Sequence, residues 1–212
     1  MKDLPIFATE YGAASLILRE IPTQRKAYIK LQATQQPKEL LEECISFCRA
    51  VGAEKIYASG HEILSRYPFH TAIVQMRCAK QELADTDAAL WPLQKEQLQY
   101  FLEIYRGKIN KVPNGAWLTH GDGQKLAADG GGYFVHSNGV LLGIGIVSEE
   151  ELRFAASVQP GAGADVVRAL AHAVGGDTVH LEVASTNDKA VSLYERLGFV
   201  KTREISRWFQ VL

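Results

Sequence analysis

The chain has 212 residues, 47% of them hydrophobic and 22% charged, the balance of a soluble globular protein long enough for one large domain or two small ones. Its 23 basic and 24 acidic residues leave a net charge of −1, so no overall field attracts nucleic acid or anionic lipid, and neither is expected as a partner. The longest nearly pure apolar run, Gly139 to Val147, covers about nine residues where a spanning helix needs about 20, so no membrane helix is expected.

Met1-Lys2-Asp3-Leu4-Pro5 does not read as a secretory signal, because an acid and a proline stand where an apolar stretch should begin. Three cysteines, Cys44, Cys48 and Cys78, then read as reduced thiols, and the expected location is the cytoplasm.

In chain order, Ala13 to Ile21 and Lys26 to Ala33 are β-rich, with Pro22 to Arg25 between them as a turn. Pro37 suits the first turn of a helix, and Leu40, Leu41, Cys44, Phe47, Cys48 and Val51 recur at helical spacing up to Gly52. Short strands follow at Lys55 to Ser59 and Phe69 to Arg77. The acid-rich stretch Lys80 to Trp91 reads as a linker. A helix through Leu93, Leu98, Phe101, Leu102 and Tyr105 ends near Asn110, and a second short helix is expected within Trp117 to Ala128.

After the Gly130-Gly131-Gly132 breaker, Tyr133 to Val135 and Val140 to Val147 form a hairpin around Ser137-Asn138-Gly139. Leu152 to Val158 is the next strand. A helix from Ala164 to Val174 stops at Gly175-Gly176. Thr178 to Val183 is a strand, Asn187 to Leu197 a helix, and Thr202 to Val211 strand-like. The strand–helix–strand step requires a parallel pair beside antiparallel ones. The expected class is therefore α+β, a mixed and mostly antiparallel sheet with flanking helices. Residues 1–79 would form a smaller α+β domain and residues 80–212 the larger one.

The densest pattern lies near the C-terminus: His180-Leu181-Glu182-Val183, then Asn187, Ala190 and Leu193-Tyr194-Glu195-Arg196-Leu197-Gly198-Phe199. Asn187 can cap the helix, Ala190, Leu193, Tyr194 and Leu197 line one face, and Gly198 supplies a left-handed stop that places Phe199 against Tyr194 or Leu193. A second pattern, Val158-Gln159-Pro160-Gly161-Ala162-Gly163-Ala164-Asp165, sits between strand and helix. Glycines there let a ligand approach the backbone, and the free N–H groups of the first helical turn favour phosphate. The dinucleotide-binding spacing is not met, because Val166 stands where its third glycine belongs.

The string LEV…N…A…LYE-LGF resembles the C-terminal signature of the GNAT superfamily of N-acetyltransferases, over roughly the last 120 to 130 residues. The resemblance implies an acetyl-CoA-dependent transfer of an acetyl group to a primary amine, on a small molecule or a peptide, by direct attack in a ternary complex. It places the cofactor's pyrophosphate at the glycine loop, on Gly161, Ala162, Gly163 and Ala164, and its pantetheine arm against the strand backbone at Ala156 and Val158. If Gly161 and Gly163 are the family's two glycines, its Gln/Arg position is Val158; if Gln159 takes that position, Ala162 and Ala164 follow. The basic loop usual before the glycines is missing.

By the same resemblance Tyr194 is the acid toward the sulfur and Glu182 the base, with His180 on the same strand face as the alternative base. Asn187 lies near the cofactor. The plainer alternatives are a core aromatic for Tyr194, a solvated strand residue for Glu182 and a helix cap for Asn187.

No metal site is expected, because Cys44 and Cys48 replace apolar residues in a helical pattern and no CxxC pair exists. The Glu149-Glu150-Glu151 run reads as a solvated turn, with one acid able to line the substrate mouth. The first half repeats the element order of the second, as a degenerate GNAT-like half, but Gln35-Gln36-Pro37 replaces the glycines before its helix, so no CoA site is expected there. A homo-oligomer is compatible with the sequence.

Overall fold

The computed structural model of the chain describes residues 5–212; of the opening stretch read for a secretory signal, residues 1–4 lie outside it. Two compact units emerge. The first runs to Ala72 and takes back Ile205–Leu212; the second is Ile73–Glu204.

In the first unit β1 (Ile6–Thr9) pairs antiparallel with β2 (Gly12–Ile17), and β2 with β3 (Lys26–Thr34). The strand expected to reach Ile21 stops at Ile17. A helical turn, α1 (Ile21–Gln24), takes over, because Pro22 sits in its first turn, where a missing N–H costs nothing. Arg25 closes it at φ 55°, giving its N–H to Ile21 O at 3.0 Å. Helix α2 (Pro37–Ala50) then crosses over to β4 (Lys55–Ser59), parallel to β3 in an unbroken ladder from Lys26↔Lys55 to Lys30↔Ser59.

Leu40, Leu41, Cys44 and Cys48 of α2 are buried against Ile29, Leu31, Ile56 and Ala58. Burial pushes the Cys44 thiol up to about 12 and that of Cys48 to about 11, so both stay neutral and pack as small apolar side chains. Cys78 is buried in a different cluster, with Met76 and Val179.

The second unit receives β5 (Phe69–Ala79). The stretch read as a linker contains a single 3-10 turn, Lys80–Glu82, and a short edge strand β6 (Ala89–Pro92). Helices α3 (Leu98–Ile109) and α4 (His120–Asp129) follow. Thr119 and Asp122 cap α4 reciprocally: Thr119 Oγ1 accepts from the Asp122 N–H at 3.1 Å, and Asp122 Oδ2 accepts from the Thr119 N–H at 3.0 Å.

Strand β6 pairs with β7 (Gly132–Ser137), β7 with β8 (Val140–Val147), and β8 with β9 (Leu152–Ser157), all antiparallel. Asn138 and Gly139, at φ 50° and 77°, make the tight turn expected of an Asn-Gly hairpin. Phe101, Leu102 and Phe154 share one core cluster with Phe134 and Ile144; helix α5 (Gly163–Ala173) belongs to another, with Val135, Val147 and Leu152.

Strand β10 (Thr178–Ala184) pairs antiparallel with β5 from Thr178↔Ala79 to Ala184↔Ile73. Helix α6 (Asp188–Arg196) and β11 (Val200–Gln210) complete the chain. The end of β11 pairs with β4 in the first unit, Phe209 opposite Ala58. Each unit thus contains an antiparallel strand pair, a crossover helix and a parallel strand, and each adds beside that strand the last strand of the other half of the sequence. The class is α+β, mostly antiparallel sheet with flanking helices, as the sequence implies.

Gly145 shows how tightly α5 sits on β8: a side chain there would run into Leu170, itself completely buried. Leu170→Ala should therefore cost about 2–5 kcal/mol, read as a lowered urea midpoint at unchanged slope; a loss under about 1 kcal/mol would mean that this contact does not hold the helix.

Candidate active site

Strands β9 and β10 run parallel but share only one bridge, Glu151↔His180, where the His180 N–H donates to Glu150 O at 3.4 Å. Beyond it the ladder stops, and β9 ends one sheet while β10 belongs to the other. The corresponding β3–β4 pair in the first unit stays laddered along all of β4.

The open stretch leads into the glycine loop and the start of α5. Gly161 takes φ 83° in open space, a conformation only glycine adopts without strain. Ala162 is the N-cap and has no side-chain cap bond to offer, so the first N–H groups of α5 are left for an outside acceptor. Gly163 opens the helix close to Leu193 of α6; a Cβ on it would lie 3.1 Å from Leu193 Cδ2. Ala164 follows in the same turn, half-buried against the α5 core.

One expected detail is corrected. The Val158 N–H donates to Leu142 O at 2.8 Å, and the alternation of an antiparallel ladder commits Ala156 to Ile144 in the same way. The backbone groups facing the open side belong to Ala155 and Ser157. The register read from the sequence, Ala156 and Val158, is off by one residue.

Asn187 caps α6: its Oδ1 accepts from the Ala190 N–H at 3.4 Å. At the other end Gly198 takes φ 93° and the Phe199 N–H returns to Tyr194 O at 3.0 Å, which sets the two rings 5.7 Å apart. Burial pushes the Tyr194 phenol up to about 12. Among the described residues its hydroxyl has no hydrogen-bond partner, and it is not sealed from solvent.

On β10, Val179, Leu181 and Val183 enter the core, and His180 and Glu182 take the other face. Glu182 stands opposite Gln75 of β5. A cleft of about 610 Å³ brings Glu182 and His180 together with Gln75, Arg153 and the acidic run Glu149–Glu151. Partial burial, then the Glu151 carboxylate, raises the Glu182 carboxyl above its ordinary value, against the opposing pull of Arg203 and Arg153. Gln75 Oε1 accepts from Arg203 Nε at 3.2 Å and from Thr202 Oγ1 at 3.3 Å, which ties that arginine in place. Glu151 in turn pairs with Arg153 at 3.4 Å.

Gln75 and Arg203 were invisible to sequence reasoning, because only the pairing of β5 with β10 and β11 brings them to Glu182, and Arg153 reaches the cleft from β9. A second cleft, of about 470 Å³, joins Gly161, Gly163 and Ala164 to Arg168 of α5 and to Lys189, Leu193 and Arg196 of α6. Here a signal was present: Lys189, Leu193 and Arg196 fall at i, i+4 and i+7, one helical face.

Among solved structures, a conserved protein of unknown function from Staphylococcus epidermidis ATCC 12228 superposes with a TM-score of 0.62 at 12% identity, covering 99% of this chain and 94% of that one. A GCN5-related N-acetyltransferase from Sphaerobacter thermophilus gives 0.61 at 11% identity, covering 93% and 75%. A tandem GNAT protein from the clavulanic acid biosynthesis pathway gives 0.53 at 11%, covering 94% and 78%. The chain has the fold of the GNAT superfamily. The family described as FR47-like protein matches residues 154–209, the part of this GNAT fold that runs from β9 through the glycine loop to β11. No curated protein matches the sequence. Among the described residues no helix is long and apolar enough to cross a membrane.

The network around Glu182 makes a signed prediction. Followed by carboxyl NMR, Glu182 should titrate above an ordinary glutamate. Glu151→Gln should lower its midpoint by removing a repelling carboxylate, and Arg203→Gln should raise it. Indifference to both substitutions would show that these charges do not act on it.

Proposed function

We propose that the chain is an acetyl-CoA-dependent N-acetyltransferase that moves the acetyl group to a primary amine by direct attack in a ternary complex. The observation that carries this reading is the break between β9 and β10, which opens onto the free N–H groups of α5 while the equivalent pair in the first unit stays closed. The residues present fit the cofactor. Gly161, Gly163 and Ala164 offer backbone N–H groups and close approach to a pyrophosphate, and Ala162, whose own N–H donates to Gln159 O at 3.4 Å, fixes the turn between them. Ala155 and Ser157 offer unpaired strand backbone to the amides of a pantetheine arm, and Asn187 fixes the start of α6 beside that path. Acetyl-CoA, when bound, supplies an acyl group activated as a thioester.

The chain's own residues manage two protons. An amine is protonated at neutral pH, so Glu182, or His180 beside it, must take one proton before the nitrogen can form its bond to the carbonyl carbon. The raised Glu182 carboxyl brings this base toward the working pH. Tyr194, whose value of about 12 keeps its proton in place throughout the neutral range, would give that proton to the leaving thiolate. The acceptor is an amine on a small molecule or a peptide, and the expected setting is the cytoplasm.

Saturating acetyl-CoA, at one hundred times Kd, should add about 2.7 kcal/mol and raise the melting temperature by roughly 5–10 °C. On an amine panel, Tyr194→Phe should lower kcat by about 10²–10⁴ with cofactor affinity unchanged. Binding with no turnover on any amine would make the chain an acyl-CoA-binding module instead, and no binding would end the CoA reading.

A further inference from the structure

A CoA nucleotide brings several negative charges, yet the loop from Val158 to Ala164 contains no Lys, Arg or His. A helix N-terminus offers only about half a unit charge in return. The cleft of about 470 Å³ beside the loop supplies the missing charge from elsewhere. Arg168 lies one turn beyond Ala164 on α5, and Lys189 and Arg196 flank Leu193 on α6.

The fold engages one of these cations in part: Arg168 pairs with Asp165. Arg168 Nη1 lies 3.4 Å from Asp165 Oδ1, but its Nε is buried with no hydrogen-bond partner, an unfavourable state for a donor unless something else fills it. Lys189 and Arg196 have no ion-pair partner among the described residues, and neighbouring Glu195 is already paired with Lys201 at 3.1 Å. Three cations from two helices around one glycine loop give the charge and donor chemistry that phosphate recognition uses.

We propose that Arg168, Lys189 and Arg196 form a relocated phosphate clamp that replaces the missing basic loop and makes the site select donors carrying the CoA nucleotide over a pantetheine thioester held on a carrier protein, which lacks it. The inference rests on reading this cleft as the CoA site.

The test is calorimetric titration of the full chain with CoA, 3′-dephospho-CoA and 4′-phosphopantetheine, at low and high salt. Wild type should bind CoA tightest and phosphopantetheine weakest, with the gap narrowing in high salt. Lys189→Gln and Arg196→Gln should each weaken CoA about tenfold or more, and the double variant further, while phosphopantetheine affinity moves little. Both side chains are exposed, so the unliganded melting temperature should hold; Arg168→Lys, which keeps charge but not the planar donor set, is the third probe and should also weaken CoA. Wild-type binding of CoA that the double variant matches within twofold overturns the clamp alone. Wild type that prefers phosphopantetheine overturns the selectivity. Wild type that binds none of the three overturns the CoA reading and the clamp with it.

Discussion

The second unit depends on a hydrogen-bond ladder that does not form. Parallel strands joined by a crossover helix normally pair along their shared length, as β3 and β4 do through α2. Strands β9 and β10 bond at Glu151 and His180 and then separate. Past that bridge the outward backbone groups of half-buried Ala155 and Ser157 have no strand paired beside them among the described residues. An open strand edge of this kind is where an added extended segment can pair. Two glycines set the position of α5 beside this gap. Gly145 allows α5 to seat Leu170 on β8, and Gly163 keeps α5 close to Leu193 of α6.

The signature near the C-terminus was legible because it is local. An Asn cap, an apolar stripe, a left-handed glycine and a returning phenylalanine all lie within one helix and its ends, and Asn187, Gly198 and Phe199 do in the structure what their types demand. The helices and the Asn-Gly hairpin were legible for the same reason. What the sequence hid was long-range or parity-dependent. Strand β6 was read as linker because four residues at a sheet edge carry little periodic signal. The fault at Ala156 and Val158 has another cause. Side-chain pattern names a strand, but which backbone groups face outward depends on the register of its partner, here fixed by Val158 donating to Leu142.

The strand exchange explains why the Glu182 surroundings could not be read from the second half by itself. Gln75 comes from β5, about a hundred residues earlier in the chain, and reaches Glu182 only because β5 pairs beside β10. It holds Arg203, which opposes the upward push of burial and of Glu151 on the Glu182 carboxyl. Burial and Glu151 push this carboxyl upward while Arg203 and Arg153 pull it down, so its affinity for a proton is set by residues outside its own strand. The first half, which lacks the glycines and keeps its own parallel pair closed, contributes by supplying this strand.

The two clefts also divide the electrostatic work by sign. Around Glu182 the charges are mixed, four carboxylates against Arg153 and Arg203, a surrounding that tunes one proton. Around Gly161 and Gly163 the lining charges, Arg168, Lys189 and Arg196, are all positive. Tyr194 lies on α6 between Lys189 and Arg196 in sequence and packs its ring on Phe199, toward the core. One nine-residue helix therefore presents cations on the face beside the glycine loop and a protonated phenol one position round from Leu193. A net charge near zero for the whole chain concealed this segregation, because the total says nothing about which helix face carries which sign.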